Sequence, residues 1–152
     1  MARIKNELGQ LDTSRRQVAE ARQSHLAALA LLEADATLPS APATLRFELA
    51  RTYFFLGIQE RPLPAADPRQ AVRPAQTRDA QRGTLAKAVE LLRELPSSPP
   101  ANPEYQHLLA LGYSRLEVAR RRAGEQDKAD EAARKAEQER GAIPSGTDRL
   151  GF

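Results

Sequence analysis

Small and apolar residues recur three and four positions apart over much of this chain, and proline-rich stretches interrupt them. The broadest stripe runs from Val18 to Leu32, and a second passes through Leu45, Leu49 and Tyr53. Spacing of this kind places apolar groups on one face of a helix. The pattern predicts an all-α fold.

Prolines separate the predicted helices. Pro39 and Pro42 end the helix of residues 18–33, because they remove backbone donors and bias the preceding residues toward extended conformations. Residues 62–82 contain four prolines and lose the helical period, so an inserted loop is expected there. A second proline run, residues 96–103, ends the helix that follows the loop.

Six helices are predicted between these interruptions. Two lie within residues 1–35, and the others cover about 44–57, 84–95, 104–123 and 125–140. Residues 12–14, with the sequence Asp-Thr-Ser, are expected to turn the chain and cap the second helix, and Thr44 is expected to cap the third. Gly124 is expected to form the turn before the last helix.

The chain repeats itself. Leu49, Ala50, Tyr53 and Leu56 reappear sixty residues later as Leu109, Ala110, Tyr113 and Leu116. When Leu8, Leu56 and Leu116 are aligned, small residues of the next helix also align, namely Ala28, Ala88 and Ala136. The intervals are 20, 32 and 20 residues, and the difference of 12 falls in the proline-rich segment of the middle unit. Repetition of this kind predicts stacked helical pairs.

These units resemble tetratricopeptide repeats, in which an aromatic residue precedes a Leu-Gly pair by three positions and small residues follow along the second helix. The matching residues are Leu8, Gly9, Ala21 and Ala28 in the first unit, Tyr53, Leu56 and Gly57 in the second, and Tyr113, Leu116, Gly124, Ala129, Ala133 and Ala136 in the third. The run from ALALLE to LRFELARTYFFLG is similar to the long-linker arrays that follow some bacterial serine/threonine kinase domains. Lys5 and Glu117 depart from the aromatic and glycine positions.

The resemblance implies about three antiparallel helical hairpins stacked as an α-solenoid. The domain would cover residues 1–140, with repeats at about 4–35, 44–95 and 103–140, the inserted loop at 62–82 and a flexible tail at 141–152. In the family, the first helix of each pair lines a groove. The corresponding residues here are Asn6, Gln10, Arg51, Phe54, Ile58, Ser114, Val118, Arg121 and Arg122.

The function implied by the resemblance is that of a scaffold or adaptor module that binds a protein or peptide, as part of a larger bacterial signalling or assembly protein. Phe55 and Leu111 stand where the family's clamp for a terminal carboxylate needs polar groups, so that ligand is not expected. The first helix, with Ile4, Leu8 and Leu11, is apolar enough to favour homo-oligomerisation, whereas the last is polar enough to cap the array.

The charge distribution leaves one alternative open. The formal net charge is +3, and residues 61–83 carry five arginines against two aspartates. Together with Arg120, Arg121 and Arg122, they make a basic nucleic-acid-binding protein the alternative hypothesis. The arginine triplet also suits a helix C-terminus, where cations offset the helix dipole, and acidic residues of the last helix neighbour it.

Nothing in the sequence predicts an enzyme, a cofactor or a metal site. The chain has no cysteine, so disulfides and thiolate chemistry are excluded. His25 and His107 fall in separate predicted helices without metal-ligand spacing, and the acidic residues form no recognisable motif. No segment approaches the roughly 18 apolar residues of a membrane span, and a cytoplasmic location is expected.

Overall fold

A computed structural model of the chain describes residues 2–14, 18–59, 74–95 and 103–143. Over these residues it contains six α-helices and no strand, which confirms the all-α prediction. The helices are α1 (Ala2–Ser14), α2 (Val18–Ala36), α3 (Ala43–Gln59), α4 (Pro74–Arg93), α5 (Pro103–Arg122) and α6 (Gln126–Ala142).

Helices that are consecutive in the chain pack on each other. The most extensive contacts join α1 to α2, α3 to α4 and α5 to α6, and smaller ones join α2 to α3 and α4 to α5. Helix α3 also contacts α1 and α5, whereas α2, α4 and α6 do not contact one another through their described residues. The odd-numbered helices therefore lie side by side, with α3 in the middle.

The central position of α3 explains its unusual composition. Every residue from Leu49 to Gly57 is buried, including the polar Arg51 and Thr52. A helix that is apolar on most sides is stable only when neighbours cover it from several directions. Helix α3 meets this condition because it contacts α1, α2, α4 and α5.

Equivalent residues of the repeat make equivalent contacts. The three aligned alanines, Ala28, Ala88 and Ala136, are all buried. Lys87 Nζ lies 5.3 Å from the ring centre of Tyr53, and Lys135 Nζ lies 5.9 Å from that of Tyr113. Each lysine immediately precedes an aligned alanine, so the sequence register of the second and third units also holds in space.

Two glycines bring paired helices into close contact. A Cβ atom added to Gly57 would lie 2.7 Å from Cγ of Leu85, and one added to Gly9 would lie 2.5 Å from Nε2 of His25. His25 and Leu85 occupy the same repeat position, three residues before an aligned alanine. The missing side chain of Gly57 therefore allows α4 to approach α3 closely.

In the first two units a glycine on the first helix faces a large residue on the second, and the third unit reverses these sizes. Glu117 stands at the position of the glycine, and Ala133 stands at the position of His25 and Leu85. A large residue on the first helix of the unit therefore coincides with a small residue on the second. Because interiors are packed to a nearly fixed density, such an exchange preserves the spacing of the helices.

Helix α4 begins ten residues earlier than its periodicity predicts. The prediction of a loop over residues 62–82 is wrong for 74–82, which are helical, while residues 62–73 lie outside the described part of the chain. Pro74 is the first residue of α4, where the missing N–H has no intrahelical partner to lose. Gln81 joins this N-terminal part of α4 to α3, because its Nε2 donates to the carbonyl oxygen of Gly57 at 3.1 Å.

Both predicted caps are wrong. Residues 12–14 continue α1 to its end and do not form a turn. Helix α3 begins at Ala43, and the carbonyl of Pro42 accepts from the amides of Leu45 and Arg46 at 3.0 and 3.1 Å, so Thr44 lies inside the first turn. The turn at Gly124 is confirmed by its φ of 80°, a conformation that favours glycine.

Candidate functional site

Two open pockets lie between the odd-numbered helices and their neighbours. The first, called the arginine pocket here, has a volume of about 270 Å³ and is lined by Ile58, Gln81, Leu85, Arg115, Val118, Ala119 and Arg122. The second, called the tyrosine pocket, has a volume of about 210 Å³ and is lined by Arg3, Thr44, Phe47, Glu48, Arg51, Glu104 and Tyr105.

The arginine pocket has an apolar floor. Leu85 and Ala119 are buried at its base, Ile58 is partly buried, and Val118 keeps 37% of its surface exposed. Val118 is one of the few large apolar side chains on the described surface that also line a pocket. The pocket therefore offers an apolar contact that the protein itself does not cover.

Two cations flank this floor. Arg115, Val118 and Arg122 lie three and four residues apart on α5, so they share one face of the helix. Among the described residues, neither arginine forms an ion pair, and the pocket lining contains no acidic residue. As far as the described residues go, the pocket thus carries a positive charge without an acidic partner beside an apolar surface.

The tyrosine pocket differs because its charges are balanced. Its lining contains two arginines and two glutamates, and Arg51 pairs with Glu48 at 3.5 Å. Arg3 pairs with Glu7 at 3.0 Å. Phe47 and Tyr105 stack with ring centres 4.2 Å apart, which closes the apolar part of the pocket. The charged groups of the tyrosine pocket are therefore less available to a ligand than those of the arginine pocket.

Three of the residues predicted to contact a partner meet in the arginine pocket: Ile58, Val118 and Arg122. Two others lie toward α6. Ser114 donates to the carbonyl oxygen of Ala110 at 2.9 Å and accepts from Arg140 at 2.6 Å. Arg121 pairs with Glu117 and, across the helix interface, with Asp130 at 3.2 Å.

The other predicted contact residues do not reach these surfaces as free side chains. Phe54 is buried and packs edge-on against Phe55, because α3 is covered on most sides. Asn6 and Arg51 are also buried. Gln10, with its amide oxygen turned toward α3, accepts from the Arg51 guanidinium at 2.6 and 3.1 Å. These side chains join helices to one another.

Asn6 is the centre of a buried polar cluster between α1, α2 and α3. Its amide nitrogen donates to Thr52 Oγ1 at 2.9 Å and to Glu48 Oε2 at 3.0 Å. Its amide oxygen lies 3.2 Å from His25 Nδ1. An Nδ1–H tautomer of His25 satisfies this oxygen, so the cluster explains how Asn6 is tolerated inside the protein. His25 Nε2, by contrast, is buried and has no hydrogen-bond partner among the described residues.

His25 is held neutral by its surroundings. The imidazole is fully buried and stacks on Phe55 with ring centres 5.1 Å apart. Burial, and to a smaller extent the positive charge of Arg51, lower the pKa of His25 to about 4. A buried imidazole of this kind stabilises the fold in its neutral form and has no access to an external substrate.

Sequence reasoning missed Gln81, Leu85, Arg115 and Ala119 as pocket residues. Groove positions of the repeat family were transferred only to the first helix of each pair, whereas Gln81 and Leu85 belong to α4. Arg115 could have been found, because it lies three residues before Val118 and seven before Arg122 on one helical face.

No family model, curated protein or solved structure matches the chain. The tetratricopeptide resemblance therefore rests on the repeated residues themselves. In the described part of the chain, no helix combines the length and apolarity needed to cross a bilayer. Within the same residues, no three side chains of the histidine, cysteine or acidic type gather as metal ligands.

Arg121→Ala tests whether the ion pairs between α5 and α6 are energetically important. Because Arg121 and Asp130 are both about half exposed, we expect a loss of only about 0.5 to 1 kcal/mol in the free energy of unfolding, and less in high salt. Urea denaturation at two salt concentrations measures it. A loss several times larger, or one that salt does not reduce, would contradict this assignment.

Proposed function

We propose that this chain is a non-catalytic, tetratricopeptide-like module of about three stacked helical hairpins that binds a protein or peptide. The proposal is supported by the aligned alanines, by the matching lysine and tyrosine contacts of the second and third units, and by the side-by-side packing of the odd-numbered helices. Arrays of this type present a surface made by several helices, which suits an extended partner.

The observation that carries the proposal is the half-covered Val118 above the buried floor of the arginine pocket. A few residues, with arginine prominent among them, supply most of the binding energy of a partner surface, and neighbouring contacts exclude water from them. Val118, between Arg115 and Arg122, has this arrangement. We therefore place the partner site at the arginine pocket, where α3, α4 and α5 meet.

The alternative of nucleic-acid binding has weaker support. Arg121 is engaged with Glu117 and Asp130, and Arg120 donates to the carbonyl oxygen of Lys128 at 3.1 Å. Two of the three consecutive arginines thus take part in the packing of α5 on α6. A phosphate backbone would have to compete with these contacts.

The wider setting stays a proposal as well. We place the module in a larger bacterial signalling or assembly protein of the cytoplasm, following the resemblance to kinase-linked arrays. Ile4 and Leu8 are 64% and 50% exposed on α1, so self-association through the first hairpin is a subsidiary form of partner binding. The exposed positions of α6 are largely polar or charged, which suits a terminal cap.

Val118→Asn tests the site without changing its charge. Selection of short peptides from a random display library on the wild-type protein should enrich a common sequence, and the variant should bind the enriched peptides about tenfold more weakly, because the apolar contact is lost. Leu31→Asn is the control, since Leu31 is 48% exposed on α2 and lines neither pocket. Equal losses of peptide affinity in both variants, or a loss in neither, would contradict the placement of the partner site at the arginine pocket.

A further inference from the structure

The two arginines of the arginine pocket differ from Arg82 and Arg121, which lie on α4 and α5, in one respect. Arg82 is held by Glu125 at 2.7 Å and by Asp79 at 2.9 Å, and Arg121 is held by two acidic residues. Arg115 and Arg122 have no acidic partner among the described residues, although both belong to the same helix as Arg121. Within the described part of the chain, their charges are left for a ligand to neutralise.

The two arginines are placed to act together. A separation of seven residues corresponds to two turns, or about 10.5 Å along the helix axis, on nearly the same face. Val118 lies between them, and Leu85 and Ala119 form the floor below. An apolar ligand group that contacts Val118 would therefore have a cation on each side.

The spacing also restricts the ligand. An extended peptide advances about 3.3 Å per residue, so it covers the distance between the two arginines in about three residues. A peptide with an apolar residue flanked by two acidic groups about three positions apart matches the pocket in polarity and length. Guanidinium groups suit carboxylate and phosphate alike, because both accept paired N–H donors.

We infer that the arginine pocket recognises an anionic peptide segment, in which an apolar side chain contacts Val118 and flanking carboxylate or phosphate groups pair with Arg115 and Arg122. This inference rests on the proposed function and adds the chemistry of the partner. It distinguishes the site from the tyrosine pocket, whose two arginines already pair with Glu48 and Glu7.

The test is a charge reversal at the pocket. Peptides selected from the display library on the wild-type protein should carry acidic residues on both sides of an apolar residue. The same selection on Arg115→Glu/Arg122→Glu should enrich lysine and arginine at those flanking positions. The matched control is Arg22→Glu/Arg134→Glu, which changes the net charge equally on exposed residues of α2 and α6 and should keep the acidic preference.

Synthetic peptides then give the size of the effect. The peptides have amidated C-termini and carry a glutamate on each side of the apolar residue. Replacement of both glutamates by glutamine should weaken binding to the wild-type protein by roughly fivefold or more, as measured by fluorescence anisotropy. Arg115→Gln/Arg122→Gln should abolish this difference and serves as the second variant if the charge reversal does not fold. Phosphoserine in place of each glutamate compares the two sources of the anion: because phosphate carries the larger charge, equal or weaker binding of the phosphopeptide indicates a carboxylate ligand.

The outcomes separate the two proposals. Enriched peptides that need Val118 but carry no acidic residues would overturn the inference that the ligand is anionic. The arginine pocket would then remain the proposed partner site. Enrichment that Val118→Asn does not affect would overturn the proposed function itself. Binding of single-stranded RNA that is lost on the double reversal, with no peptide enriched, would overturn both and restore the nucleic-acid alternative.

Discussion

Leu85→Ala should lower the free energy of unfolding by about 2 to 5 kcal/mol, and adding Gly57→Ala should restore part of that loss. Leu85 is almost fully buried against Gly57, so its truncation leaves a cavity between α3 and α4. Gly57→Ala alone places a Cβ atom 2.7 Å from Leu85 Cγ and should cost about 1 to 3 kcal/mol through overpacking. In the double variant, the new methyl group enters space that Leu85 has vacated.

The measurement is a double-mutant cycle by urea denaturation of four proteins. We expect the double variant to be more stable than the sum of the single changes predicts, by about 1 kcal/mol or more. Gly83→Ala is the control, because nothing lies within 4 Å of the added Cβ and the helix should gain up to about 1 kcal/mol. Strict additivity in the cycle would show that α3 and α4 do not meet at Gly57.

Acidification should destabilise the protein through His25. Its pKa is about 4 in the folded protein and 6.5 when unperturbed, so the unfolded chain binds a proton that the folded protein rejects. The contribution of neutral His25 to the free energy of unfolding is fully present above pH 6.5 and is lost as the pH falls from 6.5 to 4. Below pH 4, His25 causes no further change. A pKa lowered to this extent corresponds to on the order of 3 kcal/mol of unfolding free energy.

Burial is the main reason that the pKa of His25 is lowered, and the charged and polar neighbours of the ring act in the same direction. Arg51 of α3 repels an imidazolium ion, and the oxygen of Asn6 on α1 already accepts from the neutral ring. Glu48 of α3 is engaged with Asn6 and Arg51, so it does not hold a proton on the histidine through a direct contact. Protonation would leave a desolvated charge inside the cluster.

Two variants isolate this effect from the titration of carboxylates. His25→Leu should remove most of the stability loss between pH 6.5 and 4, because it removes the imidazole that titrates. Leucine suits the position, since Leu85 occupies the equivalent position of the second unit. His107→Gln removes the other histidine, which is only partly buried, and should keep the loss. Urea denaturation across this range measures both, and equal pH profiles for wild type and His25→Leu would contradict the assignment.

The helices and the repeat were predictable because their signals are local. Apolar residues three and four apart determine which face of a helix is buried, and the aligned alanines gave a register that the contacts of Tyr53 and Tyr113 reproduce. The start of α4 was missed because Pro74 was interpreted as a helix breaker, although proline is tolerated in the first turn.

The candidate site was only partly predictable because burial depends on long-range packing. Phe54 and Arg51 belong to a helix that four others cover, and no spacing within α3 gives the number of its neighbours. Asn6 is predicted to be a groove residue, whereas its amide bonds with His25 on α2 and with Glu48 and Thr52 on α3. Polar residues in a sequence indicate exposure, and only the fold shows which of them have found partners inside.

The most direct test of peptide binding at the arginine pocket is a methyl-resolved NMR titration of the protein with a peptide enriched by selection. We predict that the largest shift changes fall on the methyl groups of Ile58, Leu85 and Val118, which line the pocket. The methyl groups of Ile4 and Leu8, exposed on α1, should not change. Shifts concentrated on Ile4 and Leu8, or no peptide that perturbs the pocket, would contradict the account.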